Sequence, residues 1–229
     1  MNKKRFFITG TDTGVGKTKI SCTLLQAANK LDLSTCGLKP IASGCELIDG
    51  LWRNEDAIAL QQAGSFPLDY EDINPFAFAE AIAPHIAAEK NNASLSVQPL
   101  LNRCRWIINL PIDFTIVEGA GGWLVPLNQN ETLADFVCAM KLPVVLVVGI
   151  RLGCINHALL TVQSIKTMGL TLSAWVANGI DPNTENEPEI IDSLCSRINA
   201  PCLGRVPFVS DLAVDENLSR YLDISPLLN

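Results

Sequence analysis

The sequence has no long run of apolar residues. Its longest one, LPVVLVVGI at residues 142–150, is far shorter than the roughly 20 residues that a membrane-spanning helix needs. The N-terminal segment MNKKRFFITG starts with basic residues, but a glycine interrupts it before it reaches the length of a signal peptide. We therefore expect a soluble, cytoplasmic protein that does not bind membranes.

Basic residues are also scarce. The 17 Lys and Arg are outnumbered by 24 Asp and Glu, which gives a net charge of −7, and the basic residues cluster only at Lys3–Arg5. Proteins that bind nucleic acid usually carry a basic stripe, so we expect no nucleic-acid partner. A small anionic ligand is still compatible with this charge, because a few local donors suffice to hold one.

The eight cysteines lack the CxxC spacing of zinc ribbons. Their even number would allow disulfides, but without a secretory signal we expect reduced and mostly buried thiols. The two histidines, His85 and His157, stand apart from any legible Ser/His/Asp order. We interpret both as structural or pocket-lining residues rather than catalytic bases.

The 229 residues are 48% hydrophobic and 18% charged, which is typical of a globular chain, and we expect residues 1–229 to form one domain. Strand-like apolar runs alternate with helical patterns, such as the repeat from Ile20 to Leu31 and the helix-like stretch 53–63. Strands that are apolar throughout are typical of a parallel sheet covered on both faces. The sequence therefore predicts an α/β fold with a doubly wound, mostly parallel sheet. Residues 64–92 are the least regular segment and are interpreted as an excursion over one face.

The strongest motif is GTDTGVGKT at residues 10–18, between a predicted strand and a predicted helix. In this context successive backbone N–H groups and the helix N-terminus attract phosphate oxygens. Lys17 would reach the β- and γ-phosphates, and the Thr18 hydroxyl would bind Mg²⁺. Thr11 stands where the standard GxxxxGK[ST] pattern has its first glycine. The alternative is a glycine-rich turn that caps a helix, and we favour the phosphate loop.

Two further motifs follow predicted strands. In VEGAGG (117–122), Glu118 is either a metal ligand or a solvated residue of a strand-ending turn; beside a phosphate loop, the metal ligand is favoured. In LKPIASG (38–44), Lys39 could neutralise a transferring phosphoryl group and Ser43 could bind substrate. Spacing alone, however, favours a surface lysine in a loop.

Two features stay ambiguous when each is taken alone. Asp56 begins a helical stretch, where a charge that stabilises the helix N-terminus is a more ordinary role than a second metal ligand. Residues 152–157 begin a helix after a buried strand. Their free N–H groups could hold a carboxylate, or they could be an ordinary helix start.

Together these segments resemble the dethiobiotin synthetase family. The match is carried, in order, by GTDTGVGKT (10–18), LKPIASG (38–44), RNEDAIALQ (53–61), NPFAFAEAIAPHIAA (74–88), VEGAGGWLVPL (117–127), LPVVLVVGIRLGCINHALLT (142–161) and WVANGID (175–181). The resemblance implies a homodimeric ATPase of the phosphate-loop class, a ligase of biotin biosynthesis. It implies that 7,8-diaminononanoate, CO₂ and MgATP give dethiobiotin, ADP and phosphate through a carbamate and a carbamic-phosphoric anhydride.

The resemblance also implies roles for individual residues. The catalytic residues would be Lys17 and Lys39, and the Mg²⁺ ligands would be Thr18, Asp56 and Glu118. Nucleotide would contact Thr13, Gly14, Val15, Gly16, Lys17, Thr18, Lys19, Asp56, Glu118, Gly119, Ala120, Gly121, Asn178, Gly179, Pro207, Phe208, Val209 and Glu216. Substrate would contact Thr13, Lys39, Ser43, Gly121, Gly122, Gly153, Cys154, Ile155 and Asn156, the last four across the dimer interface.

Other ATPases and GTPases of this loop class fit the sequence less well. A partitioning ATPase would carry a lysine in place of Thr11, and membrane-targeted ones often add a basic amphipathic tail, whereas the tail SRYLDISPLLN is nearly uncharged. A GTPase would have a lysine after Asn178 in the NKxD pattern, where this chain has NGID. Another carboxylate- or amide-activating ATPase of the same fold is disfavoured only through the resemblance of residues 38–44 and 153–158.

Overall fold

The computed structural model describes residues 3–209 and 216–229, without the side chains of Glu216 and Asn217. The strands are β1 (Lys4–Gly10), β2 (Thr35–Leu38), β3 (Ile41–Ser43), β4 (Glu46–Ile48), β5 (Leu51–Arg53), β6 (Phe76–Phe78), β7 (Phe114–Glu118), β8 (Val144–Ile150), β9 (Leu172–Gly179) and β10 (Cys202–Val206). The helices are α1 (Lys17–Asn29), α2 (Glu55–Ala63), α3 (Tyr70–Ile73), α4 (Pro84–Lys90), α5 (Val97–Asn109), α6 (Leu133–Met140), α7 (Cys154–Thr167), α8 (Glu187–Cys195) and α9 (Ser225–Leu228), with a 3₁₀ helix at Glu216–Tyr221.

A six-stranded sheet has the order β10-β9-β8-β1-β7-β2, and each neighbouring pair is parallel. The predicted fold class is confirmed. Strand β1 lies between β7 and β8, with Ile8 beside Glu118 and Gly10 beside Val147. The chain runs from β1 outward to β2 and later crosses from β7 to β8, so the strand order reverses around β1. Ligands of open α/β sheets bind at such a point, outside the carboxyl ends of the strands.

Side chains of the central strands alternate between the two faces of the sheet. Phe6 and Ile8 of β1 pack in one buried cluster with Ile20 and Leu24 of α1. Phe7 packs in the opposite cluster, to which α5, α6 and α7 contribute. Because both faces are covered, the strands read as continuous apolar runs, which is the pattern that predicted a parallel sheet.

Several predicted boundaries were wrong. Helix α1 ends at Asn29, and Leu31 lies beyond it with 53% of its surface exposed, since the chain turns at Asp32 with a φ of 58°. Arg53 belongs to the antiparallel hairpin β4–β5 rather than to a helix. Helix α2 begins only after Asn54, whose side chain accepts the Ala57 N–H. Residues 64–92 contain α3, β6 and α4.

All eight cysteines are free, five of them buried, as the sequence predicts. Burial raises the pKa of the Cys22 and Cys104 thiols to about 12. In the described part of the chain, no helix is long and apolar enough to cross a membrane.

Cysteine alkylation tests this packing. The thiolate is the reactive form of cysteine, so iodoacetamide at pH 8 should label the exposed Cys195 first and leave Cys22 and Cys104 unlabelled until denaturant is added. Peptide mass spectrometry measures the rates, and labelling of all eight cysteines in denaturant is the control. Labelling of Cys22 or Cys104 in the native protein as fast as Cys195 would contradict this core.

Candidate active site

Residues 11–16 form a loop between β1 and α1. Gly14 and Gly16 have φ values of 73° and 84°, in the left-handed region that favours glycine. Gly16 precedes α1, and no side chain of the described residues caps this helix. The first N–H groups of α1 are therefore left for an anion at the helix N-terminus.

Lys17 folds back over this loop, and its Nζ donates to the Asp12 carbonyl oxygen at 3.1 Å. The side chain is largely buried, and this burial, together with the nearby Lys39, lowers the pKa of Lys17 to about 8. Val15 is also buried, and it packs where Gly10 and Gly149 leave room for it. The loop is thus fixed against β1 and β8, as a phosphate-binding loop requires.

Lys39 lies in a buried cluster of charges beside the loop. Its Nζ is 2.7 Å from Glu118 Oε1 and 2.8 Å from Asp56 Oδ2. Lys39 is 5% exposed and Glu118 is 1% exposed. The interpretation of Lys39 as a surface lysine, which spacing alone favoured, is therefore wrong. The alternative interpretation of Glu118 as a solvated residue is wrong as well. Asp56 lies in the first turn of α2, where a charge that stabilises the helix N-terminus is expected, and it also pairs with Lys39.

Electrostatic compensation explains how these charges tolerate burial. Burial alone would lower the pKa of Lys39, but Glu118 and Asp56 outweigh it and raise that pKa. Burial alone would raise the pKa of Asp56, but Lys39 outweighs it and holds that pKa below its ordinary value. An unpaired buried charge would be costly, so the cluster keeps Lys39 protonated and Asp56 ionised.

The oxygens around this cluster suit a hard cation. The Thr18 hydroxyl donates to Glu118 Oε1 at 2.8 Å. Glu118 Oε2 is buried and has no hydrogen-bond partner among residues 3–209 and 216–229. Within the same residues, no group of three or more His, Cys, Asp or Glu side chains could hold a metal ion. Two carboxylates and a hydroxyl instead fit Mg²⁺, which binds few protein ligands and keeps water and phosphate oxygens.

Asn178, at the end of β9, lies against the same loop. Its Nδ2 donates to the Val15 carbonyl oxygen at 2.8 Å, and among the described residues nothing donates to its Oδ1. A Cβ on Gly179 would lie 2.7 Å from the Phe208 nitrogen, so Gly179 packs on the backbone of Pro207–Phe208. Four of the residues implied for nucleotide are therefore together. Val209 is half-buried and packs against the hydrophobic core, and the side chain of Glu216 lies outside the described residues.

The residues implied for substrate lie at two neighbouring places. A Cβ on Gly121 would lie 3.6 Å from Thr13 Oγ1, and one on Gly122 would lie 3.8 Å from the Gly10 oxygen, so this turn touches the phosphate loop. Gly119 packs closely on the Phe7 ring, which a Cβ there would meet at 2.8 Å. Ser43 is on β3, opposite Phe78.

The second place is the start of α7. Gly153 has a φ of 91°, and no side chain of the described residues caps the helix. Cys154 is buried in the core, and its backbone N–H donates to the Arg151 carbonyl oxygen at 3.1 Å. Sequence reasoning missed the ion pair between Arg151 and Asp12, 2.9 Å, which ties this helix start to the phosphate loop. No local pattern could have found it, because its partners are 139 positions apart.

Comparison with known proteins agrees with this geometry. A family model described as an AAA domain matches residues 4–215. A protein of Cellvibrio japonicus named ATP-dependent dethiobiotin synthetase BioD is 54% identical over the full length of both chains. The chain belongs to the dethiobiotin synthetase family. Synthetases of the same name from Pseudomonas aeruginosa PAO1 and Yersinia pestis bv. Antiqua are 50% and 47% identical, over 97% and 98% of this chain and 97% and 95% of theirs.

Among solved structures, the signal recognition particle receptor FtsY from Elizabethkingia anophelis superposes with a TM-score of 0.55 at 15% identity. The match covers all of this chain and 65% of the receptor chain. At this identity the likeness shows the fold alone, a parallel α/β sheet of the phosphate-loop NTPase kind.

The two loop glycines give a matched test of nucleotide binding in this synthetase. Alanine at either position meets the same left-handed backbone cost of about 1–2 kcal/mol. A Cβ on Gly16 would also collide with Asn178 Nδ2, whereas a Cβ on Gly14 has no described atom within 4 Å. We expect Gly16→Ala to weaken ADP binding at least tenfold more than Gly14→Ala, because small displacements in such a site are costly. Titration calorimetry measures both affinities, and equal losses would contradict the role of Asn178.

Proposed function

We propose how the described residues perform the activity of this family, the ATP-dependent synthesis of dethiobiotin from diaminononanoate. The observation that carries the proposal is the cluster of the buried Lys39 and Glu118 with the half-buried Asp56 beside the phosphate loop. We expect the γ-phosphate of a nucleotide on the loop to end beside this lysine and these two carboxylates. Phosphoryl transfer depends mainly on positioning and charge stabilisation, so no separate protein base is needed.

The reaction proceeds in three steps. One amine of the substrate attacks CO₂, loses a proton and becomes a carbamate. A carbamate oxygen then attacks the γ-phosphorus of ATP, and ADP leaves. The second amine attacks the carbonyl carbon of the resulting anhydride, phosphate leaves with the electron pair of the broken C–O bond, and the amine gives up one proton to water or to the departing phosphate as the urea ring closes. Lys17 and Lys39 stabilise the negative charge that accumulates on the carbamate and on the transferring phosphoryl group.

Thr18, Asp56 and Glu118 are the residues that would hold Mg²⁺. When bound, the ion neutralises phosphate charge during phosphoryl transfer. Glu118 Oε2, which has no partner in the described part of the chain, supplies a free carboxylate oxygen for it. Lys39 already neutralises part of the carboxylate charge in its absence.

We also propose a homodimer whose subunits complete each other's substrate sites. The uncapped start of α7, Gly153–Asn156, would receive the substrate carboxylate of the other subunit. Leu152 supports an interface here, because 96% of its surface is exposed and it directly precedes Gly153. Asn178 and the Pro207–Phe208 backbone would contact the base of the nucleotide.

The first test is a nucleotide-release assay. ADP release should require diaminononanoate and bicarbonate together, because the carbamate that accepts the phosphoryl group forms only from both. Each compound supplied alone should give only background release, measured with a coupled ADP assay or by chromatography. ADP release that does not depend on the diamine would refute the proposal.

The second test removes the Lys39 ammonium. Lys39→Met keeps most of the side-chain length, and we expect the turnover number to fall about 100-fold or more, in the range seen when an electrostatic donor to a transition state is lost. Lys90→Met, at an exposed lysine of α4, is the matched control and should keep parental turnover. Circular dichroism verifies that both variants fold. Near-parental turnover in folded Lys39→Met would remove this residue from the catalytic set.

A further inference from the structure

We infer that Tyr70 and Asn74 are positioning residues of this site: a chain of buried hydrogen bonds through them holds the Lys39 backbone and the start of α2 in fixed relation. The inference rests on the roles proposed above for Lys39 and Asp56. Neither Tyr70 nor Asn74 was singled out by a sequence motif.

The chain of hydrogen bonds runs from α2 to Lys39. The Asn54 N–H donates to the Tyr70 hydroxyl oxygen at 2.7 Å. The Tyr70 hydroxyl donates to Asn74 Oδ1 at 3.1 Å. Asn74 Nδ2 then donates to the Lys39 carbonyl oxygen at 2.7 Å. The Tyr70 hydroxyl accepts one bond and donates the next, and the Asn74 amide accepts at its oxygen and donates from its nitrogen, so the path is continuous.

The direction of every bond in this path is fixed. The Asn54 N–H can only donate, so the Tyr70 oxygen accepts from it and its own proton is left for Asn74 Oδ1. That bond in turn orients the Asn74 amide, so that Nδ2 faces the Lys39 carbonyl. Asn54, Tyr70 and Asn74 are all buried. A buried polar group that loses its partner costs about 1–3 kcal/mol, so the arrangement resists distortion.

This path fixes the backbone of Lys39 just beyond the last paired residue of β2. The pairing of β2 with β7 ends at Leu38, one residue before Lys39. Beyond it, the Lys39 N–H donates to the Ile73 carbonyl oxygen at 2.9 Å, while Asn74 binds the Lys39 carbonyl. The residues at the end of α3 therefore bind both the backbone N–H and the backbone carbonyl oxygen of Lys39.

The same path reaches Asp56 through the start of α2. Asn54 caps this helix by accepting the Ala57 N–H at 3.3 Å, and Asp56 lies in its first turn. The Tyr70 hydroxyl holds Asn54 by accepting the Asn54 backbone N–H. Displacing Tyr70 would therefore shift Asp56 as well as Lys39, and with them the oxygens offered to Mg²⁺.

Tyr70 is itself held in place from outside. The Arg53 guanidinium lies 4.0 Å from the centre of its ring, and Arg53 pairs with Glu71 at 2.9 Å. Burial raises the pKa of Tyr70, so its hydroxyl keeps the proton that it donates. Tyr70→Phe would remove only the oxygen and leave the ring beneath Arg53.

Tyr70→Phe is the main test, with Tyr221→Phe as its matched control. Tyr221 also lies beside an arginine, Arg220, whose Nη2 donates to its hydroxyl, but it is far along the chain in the 3₁₀ helix. For Tyr70→Phe we expect the turnover number to fall about tenfold or more, which is usual when the partner of a ligand is lost. The KM for ATP should change less than about twofold, because the phosphate loop is not part of the path.

A second readout does not depend on turnover. Titration calorimetry of ADP with and without Mg²⁺ gives the gain in affinity that the ion provides, and this gain should fall about tenfold in Tyr70→Phe. Tyr221→Phe should leave turnover, KM and this gain unchanged. If Tyr70→Phe lowers only the melting temperature and leaves the turnover number and the Mg²⁺ gain at parental values, the inference is overturned.

The double variant Tyr70→Phe/Asn74→Ala asks whether the two residues act as one path. Its turnover should be close to that of the poorer single variant, because breaking one link already frees Lys39. Additive losses would overturn the single path. If Asn74→Ala does not fold, Tyr70→Phe alone decides the inference.

Lys39→Met, measured alongside, separates the inference from the proposed function. Parental turnover in Lys39→Met would refute the role of Lys39 itself. Loss of turnover in Lys39→Met, with Tyr70→Phe unchanged, would refute only the positioning role of Tyr70.

Discussion

The Lys39 ammonium, buried between the carboxylates of Glu118 and Asp56, is the interaction on which the rest of the site depends. Removing Lys39 would leave the carboxylate of the buried Glu118 without its cation, and an unpaired buried charge is strongly destabilising. The cluster also joins three separate parts of the chain: the segment after β2, the end of β7 and the first turn of α2. Charge compensation therefore constrains where these elements meet, and the phosphate loop adds Lys17 and Thr18 to the same place.

An acidic protein can bind anionic ligands because its positive charge is local. The net charge of −7 belongs to the whole chain, whereas two buried lysines and two uncapped helix starts lie at the carboxyl edge of the sheet. Helix N-termini and buried lysines act over short distances with little solvent screening. The negative overall charge is therefore compatible with ATP binding.

The sequence predicts the parts of this structure that are local. The parallel sheet follows from apolar runs, and the phosphate loop follows from contiguous residues between a strand and a helix. The burial of Lys39 could not be predicted from spacing, because it depends on β7 lying beside β2, and its partner Glu118 is 79 positions away. Leu31 illustrates the converse error: it continues a helical repeat, but the helix ends at Asn29 and the chain turns at Asp32. Periodicity describes a segment, whereas burial and ion pairing depend on the whole topology.

The least regular segment, residues 64–92, has a structural role that its lack of periodicity concealed. Helix α3 has only four residues and is too short to be defined by an apolar face. Tyr70 and Ile73 pack in the core, and hydrogen bonds, which are directional in a way that apolar contacts are not, add to this packing. An apolar contact would tolerate small rotations of Lys39 as its backbone leaves β2, whereas the bonds from Asn74 and to Ile73 fix that orientation. A lysine that must stay at a set distance from two carboxylates is positioned more precisely by such hydrogen bonds than by additional apolar contacts.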